Sequence, residues 1–462
     1  MDIRCVTEAI TRKFVEIPSP SHSAGEEKMV SELKRIGTDL GWSEVKDVKR
    51  SEYDSSKNVY LLLEGESPHT VILFGHHDTV GFSSFAHMVN SGERSLGTDI
   101  ERLQQILSVP DDYMPGRGSF DMKSGLAAAL VAGRLLAARK RGNSVLFASF
   151  ADEERFSFGA REGAKTLLRI ARRYNLKYKA GIYNDICPLD DEGNYPLWAG
   201  SVGKVNALLT IFEPLRHAGD SPPDGGTFDT LQKLLSSHDG INITGLWTGQ
   251  TDGYSNGGAL HVRVSLTWTE EGFGNALQKF LDFLSETLDT KVSEFTERFG
   301  GLHDTEKLER LSTTRSHHVA VGRLVEEKLV SQGKHAPKAI VSLVAPYYPY
   351  AMSSGGLVQD TISIVKEWGE KHSFKPEYKG HFPLVSDMSF LWGMISDTAE
   401  RELPQRMPHH PVLADFTPVP LGIPCINVGP VGKNAHLVNE MVYAPFTFEV
   451  LPAMLADLTQ RL

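Results

Sequence analysis

The chain has 462 residues, 40% of them hydrophobic, and a formal net charge of -10. This length exceeds what one hydrophobic core usually serves, so we expect two domains. The negative charge is spread along the chain, which argues against nucleic acid as a partner. No apolar stretch approaches the roughly 20 residues of a membrane helix, so we expect no membrane partner.

The start of the chain and its cysteines bear on its location. MDIRCVTEAITRKFVEIPSP carries charges where a signal peptide has its apolar segment. Cys5, Cys187 and Cys425 are widely spaced and form no CxxC pair. This pattern indicates neither a disulfide framework nor a thiolate zinc site. We therefore expect a cytoplasmic protein in reducing surroundings.

Short apolar runs alternate with helix-like segments over residues 1–200. NVYLLLE, TVILFG and NSVLFASFAD are apolar at nearly every position, as strands are when helices cover both faces of their sheet. SGLAAALVAGRLLAARKRG predicts a helix, because alanine and leucine dominate and basic residues precede the closing glycine. The predicted fold class is α/β, a mixed sheet flanked by helices.

From about residue 201 the pattern changes to amphipathic strands separated by helical segments. KVNALLTIFE and GALHVRVSLTWTE predict strands, and TFDTLQKLLSSH and FGNALQKFLDFLSETLDTKV predict helices. This order indicates an inserted α+β domain whose sheet helices cover on one side. The charged, helix-like segment 293–337 is interpreted as an elaboration of the insert.

The C-terminal part returns to the first pattern. GLVQDTISIVKEWGEKH and FEVLPAMLADLTQRL predict helices, and GIPCINVGP predicts a short buried strand. We therefore predict a catalytic domain in two parts, 1–200 and 350–462, with an inserted domain at 201–349.

Acidic and histidine residues gather where predicted strands end or helices begin. They are His76, Asp78, Asp121, Glu153, Glu154, Asp185 and His436. Singly, each has a structural explanation: a histidine such as His76 or its neighbour His77 is usually a turn residue, and Asp121 suits a helix N-cap. Those explanations do not account for the convergence on one sheet edge, where open α/β sheets bind ligands.

A two-metal hydrolase accounts for the set better. It needs a histidine and a carboxylate on each metal, a bridging carboxylate, and one further carboxylate held off the metals as a base. The five ligands are His76, Asp121, Glu154, Asp185 and His436, with His77 the alternative to His76. Glu153 is then left as the base, and Asp78 orients His76.

Five motifs in chain order carry a family resemblance. GHHDTV, GRGSFDMKSG, ADEE, YND and NAHLVNE resemble the dizinc aminoacylase and carboxypeptidase family, which includes acetylornithine deacetylase, desuccinylases, dipeptidases and carbamoylases. LRHAGDSPPDGG resembles the start of that family's lid domain. HFPLVSDMSFL, which contains Asp387, resembles the RocB-type branch, named for arginine utilisation. The resemblance implies a zinc exopeptidase-like catalytic domain with an inserted lid and dimerisation domain.

The resemblance also implies roles for individual residues. Asp121 would bridge two Zn²⁺ ions, with His76 and Asp185 completing one site and Glu154 and His436 the other. Mn²⁺ or Co²⁺ fits similar ligands. Glu153 would be the general base.

Residues outside the metal set receive roles by the same resemblance. His217, on the lid, would stabilise the oxyanion in a neighbouring subunit's active site, which implies a homodimer. The family commonly grips the substrate carboxylate with an arginine at the end of the strand GALHVRVSLTW, where this chain has Trp268. Arg263 is the possible substitute, and it joins Asp387 as a candidate for substrate binding.

The expected function is that of a dizinc hydrolase cleaving an amide bond of an N-acyl amino acid or short peptide, linked to arginine or amino-acid utilisation. Two zinc ions would lower the pKa of a bridging water toward about 7, and Glu153 would take its proton. The alternatives are a catalytically silent binding or regulatory protein with this fold, and an unrelated α/β protein with a closed structural zinc site. The retained Glu153 favours the enzyme.

Overall fold

The computed structural model describes residues 2–87, 96–137, 142–217, 231–232, 234, 242–248, 255–296, 306, 308, 317–393, 397–408 and 421–462. Its main helices are, in chain order, α1 (Ile3–Val15), α2 (Ala24–Asp39), α3 (Glu52–Lys57), α4 (Ile100–Ile106), α5 (Ser124–Ala137), α6 (Phe158–Tyr174), α7 (Phe273–Thr287), α8 (His317–Gln332), α9 (Gly356–His372), α10 (Met388–Trp392), α11 (Thr398–Arg401), α12 (Leu403–Arg406) and α13 (Leu451–Arg461). Its strands are β1 (Ser43–Glu44), β2 (Val59–Leu63), β3 (His69–His76), β4 (Tyr113–Pro115), β5 (Ser144–Phe150), β6 (Lys177–Tyr183), β7 (Tyr195–Ser201), β8 (Gly203–His217), β9 (Asn242–Thr248), β10 (Ser255–Trp268), β11 (Ser293–Glu294), β12 (Ala339–Tyr348), β13 (Ala351–Met352), β14 (Pro376–Phe382), β15 (Cys425–Asn427), β16 (Gly432–Lys433) and β17 (Met441–Tyr443).

The largest sheet is mixed and has nine strands in the described residues. Its order is β1-β2-β5-β3-β6-β15-β7-β13, with β14 also paired to β7. Strand β3 lies parallel to both β5 and β6, whereas β2 pairs antiparallel with β5. The predicted α/β class, with a mixed sheet flanked by helices, is confirmed.

Helices cover both faces of this sheet. Tyr60 and Leu61 are neighbours on β2 and so point to opposite faces. Helix α2 packs against Leu61, since a Cβ added to Gly37 would lie only 2.3 Å from that side chain. Helix α6 packs against Tyr60, since a Cβ added to Gly163 would lie 3.0 Å from the Tyr60 hydroxyl. Because both faces are covered, every side chain of β2 is buried, which explains its continuous apolar sequence.

Helix α5 is enclosed by other elements and begins three residues after Asp121. It contacts α1, α13 and β3, and all its residues from Ser124 to Gly133 are buried. A Cβ on Gly133 would lie 2.0 Å from the Trp42 ring, so glycine permits this close approach. The Trp42 indole N–H donates to the Leu130 carbonyl at 3.0 Å. This packing fixes the helix that follows the Asp121 segment.

The chain divides into two compact units. The first comprises Met1–Ser201, Ala351–Gly393 and Pro418–Leu462, and the second Val202–Tyr350 and Met394–Thr417. Our prediction instead placed the last of these segments, Met394–Thr417, in the catalytic domain. The described part of that segment bonds within the second unit: Asp397 Oδ2 accepts from the Gly274 N–H at 2.6 Å, and Tyr347 donates to Glu400 at 2.7 Å.

The second unit contains a five-stranded sheet of order β11-β12-β8-β10-β9. Helix α8 packs on the face that carries Leu208 and Phe212. The opposite face is also buried, as Ala207 and Leu209 show, and α7 contacts β10. The prediction of a sheet covered on one side is therefore wrong for the central strands. The reason is that segment 293–337, interpreted as an elaboration, supplies α8 as a second cover.

The sequence interpretation missed several strands, among them β7, β9 and β14, and one prediction lies mostly outside the described residues. Strand β9 alternates exposed and half-buried residues, and β14 is half-buried or exposed at all positions except Phe382, so neither has a continuous apolar run. The predicted helix TFDTLQKLLSSH falls largely on residues that the structure does not describe. Within the described ranges, no helix is both long and apolar enough to span a membrane.

Glu26, in the first turn of α2, is a buried acid with little to offset its charge. It is 1% exposed, and among the described residues its Oε1 has no hydrogen-bond partner. The Lys57 ammonium is 3.5 Å from the other oxygen. Burial raises the pKa of Glu26 to about 7, and the Asp78 charge adds to this. The native state therefore holds this proton more tightly than the unfolded chain does.

Glu26→Gln is expected to stabilise the protein by roughly 2 kcal/mol at pH 8. A raised carboxyl pKa penalises the folded state only above the unfolded value, so the gain should vanish below about pH 4.5 and be complete above about pH 7. Urea unfolding of the native protein and the variant, at pH 8 and below about pH 4.5, measures this gain in stability. Glu27→Gln, at a neighbouring side chain that is 64% exposed, should change stability by less than about 0.5 kcal/mol. A gain that is independent of pH would contradict the interpretation.

Candidate metal centre

Three adjacent parallel strands deliver charged residues to one edge of the large sheet. Strand β3 lies between β5 and β6, and the three run in the same direction. His76 ends β3, Glu153 and Glu154 follow β5, and Asp185 follows β6. Because the carboxyl ends of parallel strands share an edge, these side chains lie close together.

The first group of potential metal ligands consists of His76, Asp121 and Asp185. His76 Nε2 lies 3.1 Å from Asp121 Oδ1 and 3.9 Å from Asp185 Oδ1. One ligand atom from each residue lies within 4.8 Å of the others. Asp185 is fixed by its backbone N–H, which donates to Asn427 Oδ1 at 3.1 Å. These three side chains can hold one ion.

The second group consists of Asp121, Glu154 and His436. His436 Nε2 lies 3.0 Å from Asp121 Oδ2 and 3.0 Å from Glu154 Oε2. The other oxygen of Glu154 accepts from the Val80 N–H at 3.2 Å. Asp121 thus belongs to both groups and uses a different oxygen toward each histidine, which is the arrangement a bridging carboxylate needs.

The donor set suits divalent metal ions. Each group combines one imidazole with two carboxylates, ligands that zinc binds and that manganese or cobalt also accepts. Among the described residues, Asp185 Oδ1 has no hydrogen-bond partner although it is buried. A cation would offset the charge of such an oxygen. The residues therefore fit a dinuclear metal centre.

His77 does not compete with His76. Adjacent strand-end residues point to opposite sides, and the His77 Nδ1 lies 2.9 Å from the Ser149 hydroxyl. Burial lowers the pKa of His77 to about 3, so it stays neutral inside the protein. His77 belongs to neither ligand group.

Asp78 holds both a ligand and the segment that follows β5. Its carboxylate Oδ1 lies 3.5 Å from His76 Nδ1, and its main-chain oxygen is closer to that nitrogen, at 3.1 Å. The carboxylate also accepts the backbone N–H groups of Glu153 at 3.1 Å and Glu154 at 3.2 Å. The Ser21 hydroxyl donates to it at 2.7 Å. Asp78 therefore links the orientation of His76 to the position of the two glutamates.

Glu153 lies beside the ligand groups without belonging to either. Its Oε2 is 3.9 Å from His76 Nε2. Burial raises the pKa of Glu153, an effect opposed by the charge of His76 and reinforced by Asp387. A carboxyl group that accepts protons more readily and is not assigned to a metal is suited to general-base chemistry.

The charges of the ligands depend strongly on one another. Hydrogen bonds to Asp121 and Glu154 raise the pKa of His436 to about 11. Burial raises the pKa of Glu154 and of Asp185 to about 7, with the Asp121 charge adding to both. Several carboxylates in one buried space repel each other, and cations relieve this repulsion.

The sequence model of peptidase family M20/M25/M40 matches residues 98–460 of this chain. The matched region contains four of the five candidate ligands, from Asp121 to His436. The chain belongs to peptidase family M20/M25/M40. Membership in the M20/M25/M40 family makes it a metal-dependent hydrolase of peptide or amide bonds.

One curated relative matches nearly the whole chain. RocB of Bacillus subtilis (strain 168) is 24% identical over 551 aligned positions, which cover 98% of this chain and 94% of RocB. The predicted resemblance to the dizinc aminoacylase and carboxypeptidase family, with its RocB-type branch, is confirmed.

Solved structures show that the M20/M25/M40 fold spans the whole chain. The metallo-carboxypeptidase Sso-CP2 of Sulfolobus solfataricus has a TM-score of 0.60 at 13% identity, covering 98% of this chain and 99% of that one. The YXEP protein of Bacillus subtilis, a dinuclear metal binding peptidase, has a TM-score of 0.55 at 12% identity, with 99% and 97% covered. These likenesses show the fold alone.

One further predicted site residue of this M20/M25/M40 peptidase, Asp387, belongs to the first unit and to neither ligand group. Asp387 is fully buried. Burial raises the pKa of Asp387 to about 7. Because a substrate contact requires an accessible side chain, Asp387 as a binding residue stays a prediction.

The two predicted lid residues belong to the second unit. Arg263 Nε donates to the Thr244 hydroxyl at 2.9 Å, and its Nη1 lies 3.4 Å from His318. Trp268, which the resemblance aligns with the family's arginine, is 1% exposed. The backbone of His217 pairs with Ser255 at the end of β8. The roles proposed for Arg263 and His217 also stay predictions.

The sequence interpretation missed two residues that the structure places behind the ligands. Arg117 and Glu440 form a buried ion pair with an N–O distance of 2.6 Å. Both stand inside segments already singled out, GRGSFDMKSG and NAHLVNE. Opposite charges in two motifs of one site were the available signal, but the sequence does not show that they meet.

Proposed function

We propose that this chain is a dinuclear metal-dependent amidohydrolase that cleaves an amide bond of an N-acyl amino acid or short peptide. The observation that carries the proposal is the double membership of Asp121 in two ligand groups, with the Glu153 carboxylate beside them and assigned to neither. Zinc is the proposed metal because histidine and carboxylate ligands suit it, although Mn²⁺ and Co²⁺ fit the same set.

The proposed chemistry divides between metal and protein. When bound, two divalent ions supply Lewis-acid polarisation and a more acidic water. Glu153 accepts a proton from the attacking water, whose oxygen bonds to the acyl carbon. As the carbon–nitrogen bond breaks, Glu153 returns that proton to the leaving amine. The products are a carboxylic acid and a free amine, and Glu153 regains its starting state.

The buried surroundings of Glu153 support its role as the proton carrier. Its backbone N–H donates to Asp78 at 3.1 Å, so its main chain is held beside His76. A raised carboxyl pKa lets it retain the proton until the amine departs. Asp78 acts as a positioning residue, because it holds the backbone of Glu153 and Glu154 together with the His76 ring.

Several finer roles are part of the same proposal. His217 stabilises the oxyanion in the site of a neighbouring subunit, so that the protein works as a homodimer through its second unit. Asp387 and Arg263 contribute to substrate binding. The proposed link with arginine or amino-acid utilisation comes from the resemblance to the RocB-type branch, which is named for arginine utilisation. The cytoplasm is the proposed location.

The test supplies the zinc-loaded protein with pooled N-acyl amino acids and dipeptides and follows free amines by mass spectrometry. Glu153→Gln is assayed in parallel. We expect amine release by the native protein and almost none by the variant, and the released amines name the substrate class. Silence from the native protein with two ions bound would instead favour the binding or regulatory alternative.

A further inference from the structure

Two oppositely charged and fully buried side chains lie behind the second ligand group. Arg117 and Glu440 are each 1% exposed, and they come from positions 323 residues apart. Removing both charges from water costs free energy that their attraction rarely exceeds. Stability alone is therefore a weak explanation for this pair.

The other hydrogen bonds of the pair reach the ligand segments themselves. Glu440 Oε1 accepts the backbone N–H groups of Phe120 at 3.3 Å and Asp121 at 3.2 Å. Arg117 Nη2 donates to the main-chain oxygen of His436 at 3.0 Å and to the Ser84 hydroxyl at 3.2 Å. One ion pair thus fixes the backbone of the shared ligand and of His436 together.

The two ligand groups depend on this pair to different degrees. His76 is held by the hydrogen-bond ladders of a central strand, and the Asp185 backbone by Asn427. His436 instead lies in a turn between β16 and β17, with a side chain that is 49% exposed. Its φ of 67° falls in the left-handed region, which residues other than glycine rarely adopt. The Arg117 hydrogen bond is a specific restraint on that conformation.

We propose that Arg117 and Glu440 are positioning residues that determine metal affinity at the Asp121–Glu154–His436 group. This inference rests on the proposed dinuclear function. The pair acts through the backbone of the ligands and touches neither substrate nor reacting atoms. Its loss weakens the ion at this group more than the other ion, because the first group shares only Asp121 with it and keeps His76 and Asp185 on their own supports.

The experiment titrates Co²⁺ alone into the metal-free protein and follows heat and visible absorption. Arg117→Lys keeps a positive charge for Glu440 but loses the fork that also reaches His436. We expect one ion to bind with near-native affinity and the other about tenfold more weakly. Arg117→Met should weaken that second ion by about 100-fold. The native protein should bind two ions.

A control tests whether the loss of another Arg–Glu pair, one that is only partly buried, has this effect. Arg406 and Glu294 form a bidentate pair in the second unit, with the Nε–Oε1 distance at 3.0 Å. Arg406→Met should bind two Co²⁺ ions with the affinities of the native protein. A selective loss in this control would overturn the assignment of the effect to Arg117.

The remaining outcomes also decide the proposal. Native affinity for both ions in the two Arg117 variants would overturn it, as would an equal loss of both ions. If circular dichroism shows that Arg117→Met is unfolded, Arg117→Lys decides, because it keeps the buried charge paired. A native protein that binds fewer than two ions overturns the proposed function and this inference together, and is recognised before any variant is compared.

Discussion

Glu153→Gln is expected to lower kcat by about 10³-fold while leaving two metal ions bound. Glutamine has nearly the same shape as glutamate but cannot accept the proton of the attacking water. Glu153 belongs to neither ligand group, so its removal should not weaken the ions. Steady-state kinetics on the substrate found in the screen, with metal analysis of the same preparation, measures both quantities.

The control for this variant is Glu101→Gln, at a side chain that is 77% exposed. It should retain native kcat and native metal content. KM of Glu153→Gln should change far less than kcat, because the proton transfer belongs to the transition state. The role as base would be refuted by a variant that loses its metal along with its activity, since Glu153 would then act as a ligand.

Asp121→Asn is expected to abolish stable binding of both ions and reduce activity to background. Its two oxygens lie 3.1 Å from His76 Nε2 and 3.0 Å from His436 Nε2. Asparagine removes the negative charge from both metal positions and replaces one of these oxygens with an amide nitrogen. One position therefore loses its ligand atom, and the other keeps only a neutral amide oxygen. We expect each dissociation constant to rise by more than about 100-fold. Metal analysis after dialysis checks the stoichiometry.

Asp185→Asn tests whether the loss of an unshared ligand has a smaller effect than the loss of the shared ligand Asp121. Asp185 belongs to the first group alone, so its variant should lose one ion and keep the other. A chelator should lower the Tm of the native protein and leave that of Asp121→Asn nearly unchanged, because only bound ions stabilise the folded state. Retention of two ions by Asp121→Asn would disprove the bridging assignment.

The sequence predicts the sheet and the ligands for the same physical reason. Strands covered on both faces are apolar at consecutive positions, so their ends are visible, and polar residues such as His76 and Asp185 directly after them are conspicuous. The choice between His76 and His77 required the structure, which orients one toward Asp121 and the other toward Ser149.

Features that depend on contacts between distant segments were not predictable in this way. The Arg117–Glu440 pair joins one residue that precedes the whole second unit in the sequence to one that follows it. Strand β9 exposes every second residue, so hydrophobicity gave little signal. Segment 293–337 was recognised as helix-like, but which face α8 would cover depended on the sheet it packs against.

The order of the ligands along the chain has a consequence for synthesis. His76, Asp121, Glu154 and Asp185 all precede the second unit, whereas His436 follows it. A chain still emerging from the ribosome therefore presents the first ligand group complete and the second without its histidine. We expect a truncated chain ending before residue 400, if it folds, to take up at most one ion tightly. Full metal loading would then require the segment that carries His436, which is synthesised only after the whole second unit.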